Sequence, residues 1–293
     1  MLFKGCATAL LTPFDSEGKI DCKAYERLVR RQVEGGVDFL VPLGTSAETP
    51  TLNKEEKSML WSITRKTAAS VPLLVGCGSN SVDATLENMS LFEDADAFLV
   101  VVPFYNKPTQ EGMYLYYKTL AEKAKAPIIM YNVPGRTGVN MTAGTALRIA
   151  REVKGVTGIK EASGKFDQVK EIIDGAPEGF CVLSGDDDMT FDLIKAGAHG
   201  VISVASNILP DKVSEMTHLA LEGRWTEAED LNRRLMPLFK ACFVESNPIP
   251  AKEALRQLGL CGNAMRLPLT PASEDTKRII GEALEDWRKS NNR

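Results

Sequence analysis

The feature of this sequence that most constrains its fold is a regular alternation of short apolar runs with longer segments of helical spacing. The runs have the length and β-branched composition of strands, and lie at residues 5–11, 39–43, 73–76, 97–102, 128–131, 156–160, 180–183 and 200–203. They are continuously apolar, which is typical of parallel strands buried on both faces. Eight such strand–helix units in a chain of 293 residues predict an α/β fold of the (β/α)8 TIM-barrel type.

The segments between these runs carry the start and stop signals of helices. Asn53 followed by Glu56 predicts a capping box, Thr142 is a helix-opening residue, and glycines 35–36 end the first helix. An open doubly wound sheet is the alternative, but it usually has a glycine-rich fingerprint after its first strand. Here residues 12–14 read Thr-Pro-Phe, so the closed barrel is favoured.

The chain beyond about residue 210 contains no strand signal and predicts several helices packed on the barrel. We therefore divide the chain into a (β/α)8 barrel of residues 1–223 and a C-terminal helical extension of residues 224–293. We expect the polar residues from Trp287 onward to fray.

Composition and charge exclude several classes of protein. The 35 basic and 39 acidic side chains give a net charge of −4, which does not fit a nucleic-acid partner. The six cysteines have no CxxC spacing and there are two histidines, so no metal site is predicted. The longest apolar run is too short to span a membrane and the N-terminus does not resemble a secretory signal, so we expect a cytoplasmic protein.

The residues that end the predicted strands point to a reaction, because barrel enzymes place their catalytic groups there. Lys160 ends the sixth apolar run, and Tyr131 ends the fifth. Burial in an apolar setting favours a neutral amine, which can attack a carbonyl and form a Schiff base. Tyr131 suits proton transfer beside such an amine. A solvated lysine and a structural tyrosine are the commoner alternatives for isolated residues.

Two further strand ends suit carboxylates. Thr45 and Ser46 follow the second run and offer two hydroxyls and successive main-chain N–H groups in a tight turn. Arg136 follows the fifth run, and its planar guanidinium suits a second carboxylate. An ordinary turn and a surface arginine fit these positions equally well. Together with Lys160, they predict an enzyme that forms an imine with a 2-oxo acid, most simply pyruvate.

Several motifs occur in an order and spacing that resemble one protein family. They are TPF at 12–14, GTSAE at 44–48, YNKP at 105–108, YNVPGRTG at 131–138, GIKE at 158–161 and SGDD at 184–187. In these motifs the sequence resembles the dihydrodipicolinate synthase / N-acetylneuraminate lyase family over the whole barrel, and weakly over the helical tail. Residues 131–138 look like the first of these two branches.

The resemblance implies a lyase that condenses pyruvate with L-aspartate 4-semialdehyde to 4-hydroxy-tetrahydrodipicolinate, in the diaminopimelate route to lysine. It implies that Lys160 binds pyruvate as an imine, so that no separate cofactor is required. It also implies a proton relay of Tyr131, Thr45 and Tyr105, in which Tyr105 comes from a neighbouring subunit.

The remaining site residues are likewise implied by the resemblance. Ser46 and the main chain of Ile202 would hold pyruvate, Arg136 would hold the carboxylate of the semialdehyde, and Gly185 would lie near the base of the site. The implied assembly is a homotetramer built as a dimer of dimers, with a dimer as the alternative. The partners are therefore small-molecule substrates and further copies of the chain, with no nucleic acid and no membrane.

The sequence departs from the family pattern at two sites. The family usually has Gly-Thr-Thr-Gly-Glu where residues 44–48 of this chain read Gly-Thr-Ser-Ala-Glu. Ser46 replaces a threonine and keeps the hydroxyl, whereas Ala47 replaces a glycine and adds a Cβ that would disfavour a positive φ. Lysine-regulated members bind lysine at an interface formed by segments 49–57, 80–84 and 104. In place of their histidines, glutamate and tyrosine, this chain has Lys54, Lys57, Ala84 and Phe104, so we expect weak or absent inhibition by lysine.

Two other functions compete with this interpretation. A sister aldolase, such as an N-acetylneuraminate lyase or a 2-keto-3-deoxy-sugar-acid aldolase, would use the same Lys160 imine, but has no evident use for Arg136. A catalytically silent barrel that serves as a binding protein is an alternative of another class. The joint presence of Lys160, Tyr131, Thr45 and Tyr105 disfavours it.

Overall fold

The structure is a computed structural model that describes residues 2–291, and these residues contain one eight-stranded sheet. The strands are β1 (Gly5–Ala9), β2 (Phe39–Val41), β3 (Leu74–Gly76), β4 (Ala97–Val101), β5 (Ile128–Asn132), β6 (Val156–Glu161), β7 (Cys181–Ser184) and β8 (Gly200–Ser203). Each lies at one of the predicted apolar runs.

The strands are parallel and close into a barrel. Neighbours follow the order β2-β1-β8-β7-β6-β5-β4-β3. A parallel bridge between Leu40 and Leu73 joins the two ends of this order. The predicted (β/α)8 TIM barrel is therefore confirmed.

Helices follow the strands around the barrel. They are α1 (Cys22–Glu34), α2 (Lys54–Thr67), α3 (Val82–Ser90), α4 (Gln110–Ala121), α5 (Pro134–Thr137), α6 (Ala143–Glu152), α7 (Phe166–Gly175), α8 (Thr190–Lys195), α9 (Pro210–Leu221), α10 (Trp225–Ala241), α11 (Ile249–Gln257) and α12 (Glu274–Asn291). The predicted capping box at the start of α2 is confirmed, because Asn53 and Glu56 exchange both hydrogen bonds. Thr142 caps α6 as predicted.

Two apolar clusters hold the barrel together, one inside the ring of strands and one between the strands and the helices. The inner cluster includes Ala7, Phe39, Leu74, Leu99, Ile129, Leu183 and Ile202. The outer cluster takes the alternate residues of the same strands and the inward faces of the helices. Burial on both faces explains why the strand sequences are continuously apolar.

The helices after β8 lie against the barrel. Helix α9 packs on β1 and α8, and α10 packs on α9 and α12. The division that we propose at residue 223 falls in the turn between α9 and α10. The expectation that the chain frays from Trp287 is wrong, because Trp287 is 7% exposed within α12. Residues 292–293 lie outside the described residues, and none of the described helices is long and apolar enough to cross a membrane.

Candidate active site

A small cavity of about 50 Å3 lies where the carboxyl ends of the strands meet. Six of the eight residues that the sequence marked as site residues line it, namely Thr45, Ser46, Tyr131, Arg136, Lys160 and Gly185. The barrel topology explains this convergence, because the loops after parallel strands all leave from the same end.

Lys160 and Tyr131 form the centre of the cavity. They are register partners on β6 and β5, and they are 6% and 7% exposed. The Nζ atom of Lys160 lies 4.4 Å from the centre of the Tyr131 ring. A primary amine is thus held in a water-poor site with a phenol beside it, as nucleophilic attack on a carbonyl requires.

The turn after β2 presents Thr45 and Ser46 to the same cavity. The turn is a short 3-10 segment, Thr45–Ala47, and the Oγ of Ser46 accepts a hydrogen bond of 2.9 Å from the Nδ2 of Asn247. The left-handed backbone falls on Glu48, with φ at 55°, and not on Ala47. The extra Cβ of Ala47 therefore meets no unfavourable backbone angle.

Arg136 lies at the rim of the cavity in the short helix α5. The residue is exposed to solvent, and its Nη2 donates a hydrogen bond of 3.0 Å to the main-chain oxygen of Asn247. Asn247 thus contacts both Arg136 and Ser46. Sequence reasoning missed Asn247 and the neighbouring cavity residue Phe243, because both come from the helical extension and no motif marks them.

Two adjacent carboxyl groups after β7 lie near Lys160. Asp186 lines the cavity, and burial raises its pKa to about 6, while the positive charge of Lys160 opposes that shift. Asp187 accepts the main-chain N–H groups of Val204 and Ala205 at 2.9 and 3.0 Å, and burial raises its pKa as well. These carboxyls can balance a cation that forms at Lys160. The SGDD motif contained both residues, but its pattern gave them no role.

A third carboxyl group lies behind β6, the strand that carries Lys160. Glu161 follows Lys160 in β6, so its side chain points away from the barrel interior. Its Oε1 accepts hydrogen bonds from the Nδ2 of Asn132 and, at 3.3 Å, from the Nε2 of Gln168. Burial raises the pKa of Glu161 to about 7, against the effect of the Asn132 hydrogen bond. This network joins the ends of β5 and β6 to α7.

The other two marked residues lie outside the cavity of their own chain. Tyr105 is 87% exposed, with φ at 72°. Ile202 is buried in the inner apolar cluster on β8, and Val204, two residues later, lines the cavity. Among residues 2–291, no group of three or more His, Cys, Asp or Glu side chains is arranged to hold a metal ion.

A buried amine at the end of a barrel strand, with a phenol beside it and a hydroxyl-bearing turn in the same cavity, is typical of imine-forming, aldolase-type barrel enzymes. Comparison with known proteins agrees with that class. The chain belongs to the Dihydrodipicolinate synthetase family, whose model matches residues 2–286.

Similar proteins cover nearly the whole chain. The 4-hydroxy-tetrahydrodipicolinate synthase of Thermotoga neapolitana is 47% identical over 97% of this chain and 99% of its own length. The crystal structure of dihydrodipicolinate synthase from Thermotoga maritima superimposes with a TM-score of 0.96 at 45% identity, covering 98% of this chain and 99% of that one. A chloride-inhibited dihydrodipicolinate synthase from Acinetobacter baumannii, complexed with pyruvate, gives a TM-score of 0.95 at 40% identity, covering 97% and 99%.

Proposed function

We propose that this chain condenses pyruvate with L-aspartate 4-semialdehyde to 4-hydroxy-tetrahydrodipicolinate, on the diaminopimelate route to lysine. The observation that carries the proposal is the buried Nζ of Lys160 beside the ring of Tyr131, in one cavity with Ser46 and Arg136. Membership of the family and the names of the relatives support the same reaction.

The first half of the reaction uses the inner part of the cavity. The amine of Lys160 attacks the keto carbon of pyruvate, and loss of water leaves an imine. Thr45 and Ser46 lie at the turn that would hold the pyruvate carboxylate through hydroxyl and main-chain N–H groups. Loss of a proton from the methyl carbon then gives an enamine, and Tyr131 with Thr45 would carry protons to and from this intermediate.

The second half uses the rim. The enamine carbon attacks the aldehyde carbon of the semialdehyde, whose carboxylate would pair with the guanidinium of Arg136. The amino group of the semialdehyde then attacks the imine carbon, closes the ring and releases Lys160. Lys160 itself carries the substrate covalently, so we propose no further cofactor. The main chain of Ile202 and the close packing of Gly185 would complete the pyruvate site.

Borohydride trapping tests the imine directly. Reduction in the presence of pyruvate should add one stable pyruvate-derived mass to the peptide that contains Lys160, and Lys160→Met should abolish the addition. Lys252 provides an internal comparison, because it is a second buried lysine outside the cavity and its peptide should remain unmodified. An unchanged intact mass would exclude the mechanism.

A second assay separates the sister activities. Product formation from pyruvate and L-aspartate 4-semialdehyde should greatly exceed cleavage of N-acetylneuraminate or of a 2-keto-3-deoxy-sugar acid. Faster cleavage of a sugar acid would assign the chain to a sister aldolase. Imine formation without turnover of any of these substrates would favour the silent barrel.

We further propose that the chain assembles into a homotetramer, or a dimer, in which Tyr105 serves the site of a neighbouring subunit. Its 87% exposure and its position outside its own cavity fit a contribution to another chain. Tyr105→Phe should lower turnover while the imine remains trappable. Mixing this variant with Lys160→Met should restore activity, because one site of the mixed dimer then holds both intact residues; no restoration would place Tyr105 elsewhere. We also propose a cytoplasmic location, which fits six free cysteines, four of them buried.

A further inference from the structure

A buried ion pair lies directly behind the turn that carries the hydroxyl groups. Glu48 follows the turn Thr45–Ala47, and its side chain is 0% exposed against Lys252 of α11, which is 1% exposed. The Nζ of Lys252 donates hydrogen bonds to the Oε1 of Glu48 and, at 3.0 Å, to the main-chain oxygen of Ala264. The other carboxylate oxygen of Glu48 accepts the main-chain N–H of Arg266 at 3.2 Å.

Stability alone is a weak explanation for such a pair. Removing two charges from water costs nearly as much as their attraction returns, and apolar replacements often serve as well. Glu48 also adopts a left-handed backbone, φ 55° and ψ 33°, which side-chain-bearing residues rarely adopt. An unfavourable backbone conformation and a buried, paired charge at the same residue indicate that the position of Glu48 matters.

The backbone of Glu48 fixes the end of the turn. Its N–H donates to the main-chain oxygen of Thr45 at 3.3 Å, and its own main-chain oxygen accepts the Oγ1 of Thr51 at 2.9 Å. The side chain therefore joins this end of the turn to α11. The hydrogen bond from Asn247 to the Oγ of Ser46 joins the middle of the turn to the residues just before α11.

The cations of this region are also anchored. Lys252 and Arg266 lie over the ring of Phe14, with the Nζ and Cζ atoms 4.5 and 4.4 Å from its centre. Arg266 in turn pairs with Glu56 of α2. The turn, the loop after β1 and the helical extension thus share one charged cluster, which is fully buried at Glu48 and Lys252 and partly exposed at Arg266.

We propose that Glu48 and Lys252 are a positioning pair, which sets the orientation of Thr45 and Ser46 toward the carboxylate of pyruvate. Neither residue lines the cavity, so the pair acts through the turn. The inference rests on the proposed function in taking pyruvate as the ligand. It makes the helical extension a part of the active site.

The double variant Glu48→Gln, Lys252→Met tests this role. It removes both charges at similar volume and leaves no unpaired buried charge. Because small misplacements of binding groups are costly, the KM for pyruvate should rise about tenfold or more, and the concentration of pyruvate that half-saturates borohydride trapping should rise with it. The KM for L-aspartate 4-semialdehyde should change much less.

A matched control lies on the same helix. Glu253 pairs with Arg256 and accepts a hydrogen bond from Asn263, away from the turn. The variant Glu253→Gln, Arg256→Met should lower the Tm without raising the KM for pyruvate. An equal rise in this control would overturn the inference, because the effect would then be a general loosening of α11.

The remaining outcomes are separable. A wild-type KM for pyruvate in the double variant overturns the positioning role while leaving the proposed function intact. Failure of the wild-type protein to trap pyruvate overturns both. If the double variant does not fold, Glu48→Asp keeps the charge but shortens its reach by one methylene, and the same rise in the KM for pyruvate is expected; an unchanged KM there overturns the inference.

Discussion

Gly185 lies so close to Lys160 that a Cβ atom on Gly185 would be 3.0 Å from the Cε of the lysine. The same atom would be 2.6 Å from the Cβ of Ala162 and 3.0 Å from the main-chain oxygen of Glu161. That oxygen already accepts the N–H of Gly185 at 2.7 Å, so the backbone has little freedom to move away. Glycine is needed here for space beside the lysine.

We therefore expect Gly185→Ala to displace Lys160 and to slow imine formation. A misplacement of about 1 Å at a reacting group costs about a hundredfold, so kcat/KM for pyruvate should fall by roughly that factor. Gly144→Ala is the matched control, because nothing lies within 4 Å of its Cβ position and the residue is helical. Wild-type trapping rates in Gly185→Ala would contradict the assignment.

A second prediction concerns Arg136, which we assign to the second substrate. Loss of a charge-assisted, bidentate contact costs about 2 kcal/mol, or about thirtyfold in affinity. Arg136→Ala should therefore raise the KM for L-aspartate 4-semialdehyde by about that factor. The KM for pyruvate should rise less, although Arg136 also contacts Asn247. Arg136→Lys keeps the positive charge but loses the bidentate guanidinium, so its KM for L-aspartate 4-semialdehyde should lie between those of the wild type and Arg136→Ala. Equal rises in the KM of both substrates would refute the assignment.

The sequence predicted the barrel well because its signals are local. Each strand is a continuous apolar run, and the caps of α2 and α6 are short motifs whose partners lie three residues apart. The strand ends were less exact. The run at 39–43 forms a strand that ends at Val41, because Pro42 has no N–H to donate and Leu43 has φ at 57°. The main-chain oxygen of Pro42 still accepts the N–H of Gly76 at 3.0 Å.

The parts of the site that sequence reasoning missed come from far along the chain. Asn247 contacts Ser46, and Lys252 contacts Glu48, across more than 200 residues. Periodicity and motif spacing do not report contacts of that range. The expectation that the Cβ of Ala47 would meet an unfavourable positive φ is also wrong, because the left-handed residue of the turn is Glu48, one position later.

A third prediction uses the two histidines, which should affect stability with opposite pH dependence. The Nε2 of His218 lies 2.7 Å from the Oδ2 of Asp38, and this hydrogen bond raises the pKa of His218 above its usual value. A raised pKa means that the folded state binds the proton more tightly. The stabilisation is therefore complete below the unfolded pKa, about 6.5, and is lost as the pH rises through the folded pKa.

His218→Gln should consequently lower the Tm more at pH 6 than at pH 9. The side chain of His218 is 40% exposed, so solvent screens the pair and the shift should be about 2 °C or less. His199 is the control of opposite sign. Burial lowers its pKa, so its contribution is present above the unfolded pKa and is lost as the pH falls through the folded one. If His218→Gln and His199→Gln changed the Tm with the same pH dependence in thermal melts, this assignment would be contradicted.

The last prediction is that L-lysine inhibits this enzyme weakly or not at all. Free lysine carries two ammonium groups, so an effector site needs carboxylates and hydroxyls near them. Where the regulated pattern has a glutamate, this chain has Ala84 on α3, and where it has a tyrosine hydroxyl, it has Phe104, which is 39% exposed. Lys54 and Lys57 stand at the histidine positions and add positive charge.

The structure adds a reason for this expectation. The carboxylate of Glu87 pairs with Lys54 at the surface, so a bound lysine would have to compete with Lys54 for it. Each unit charge of like sign at contact costs about 1 kcal/mol in water, which disfavours the effector further. Glu55 or Asp83 could instead supply the missing carboxylate from a neighbouring position.

Steady-state assays with millimolar L-lysine test this prediction: cooperative inhibition below a few millimolar would show that one of these carboxylates replaces the glutamate. Ala84→Glu restores the missing carboxylate and should raise the sensitivity to lysine, whereas Ala84→Gln, which adds similar bulk without charge, should leave it unchanged.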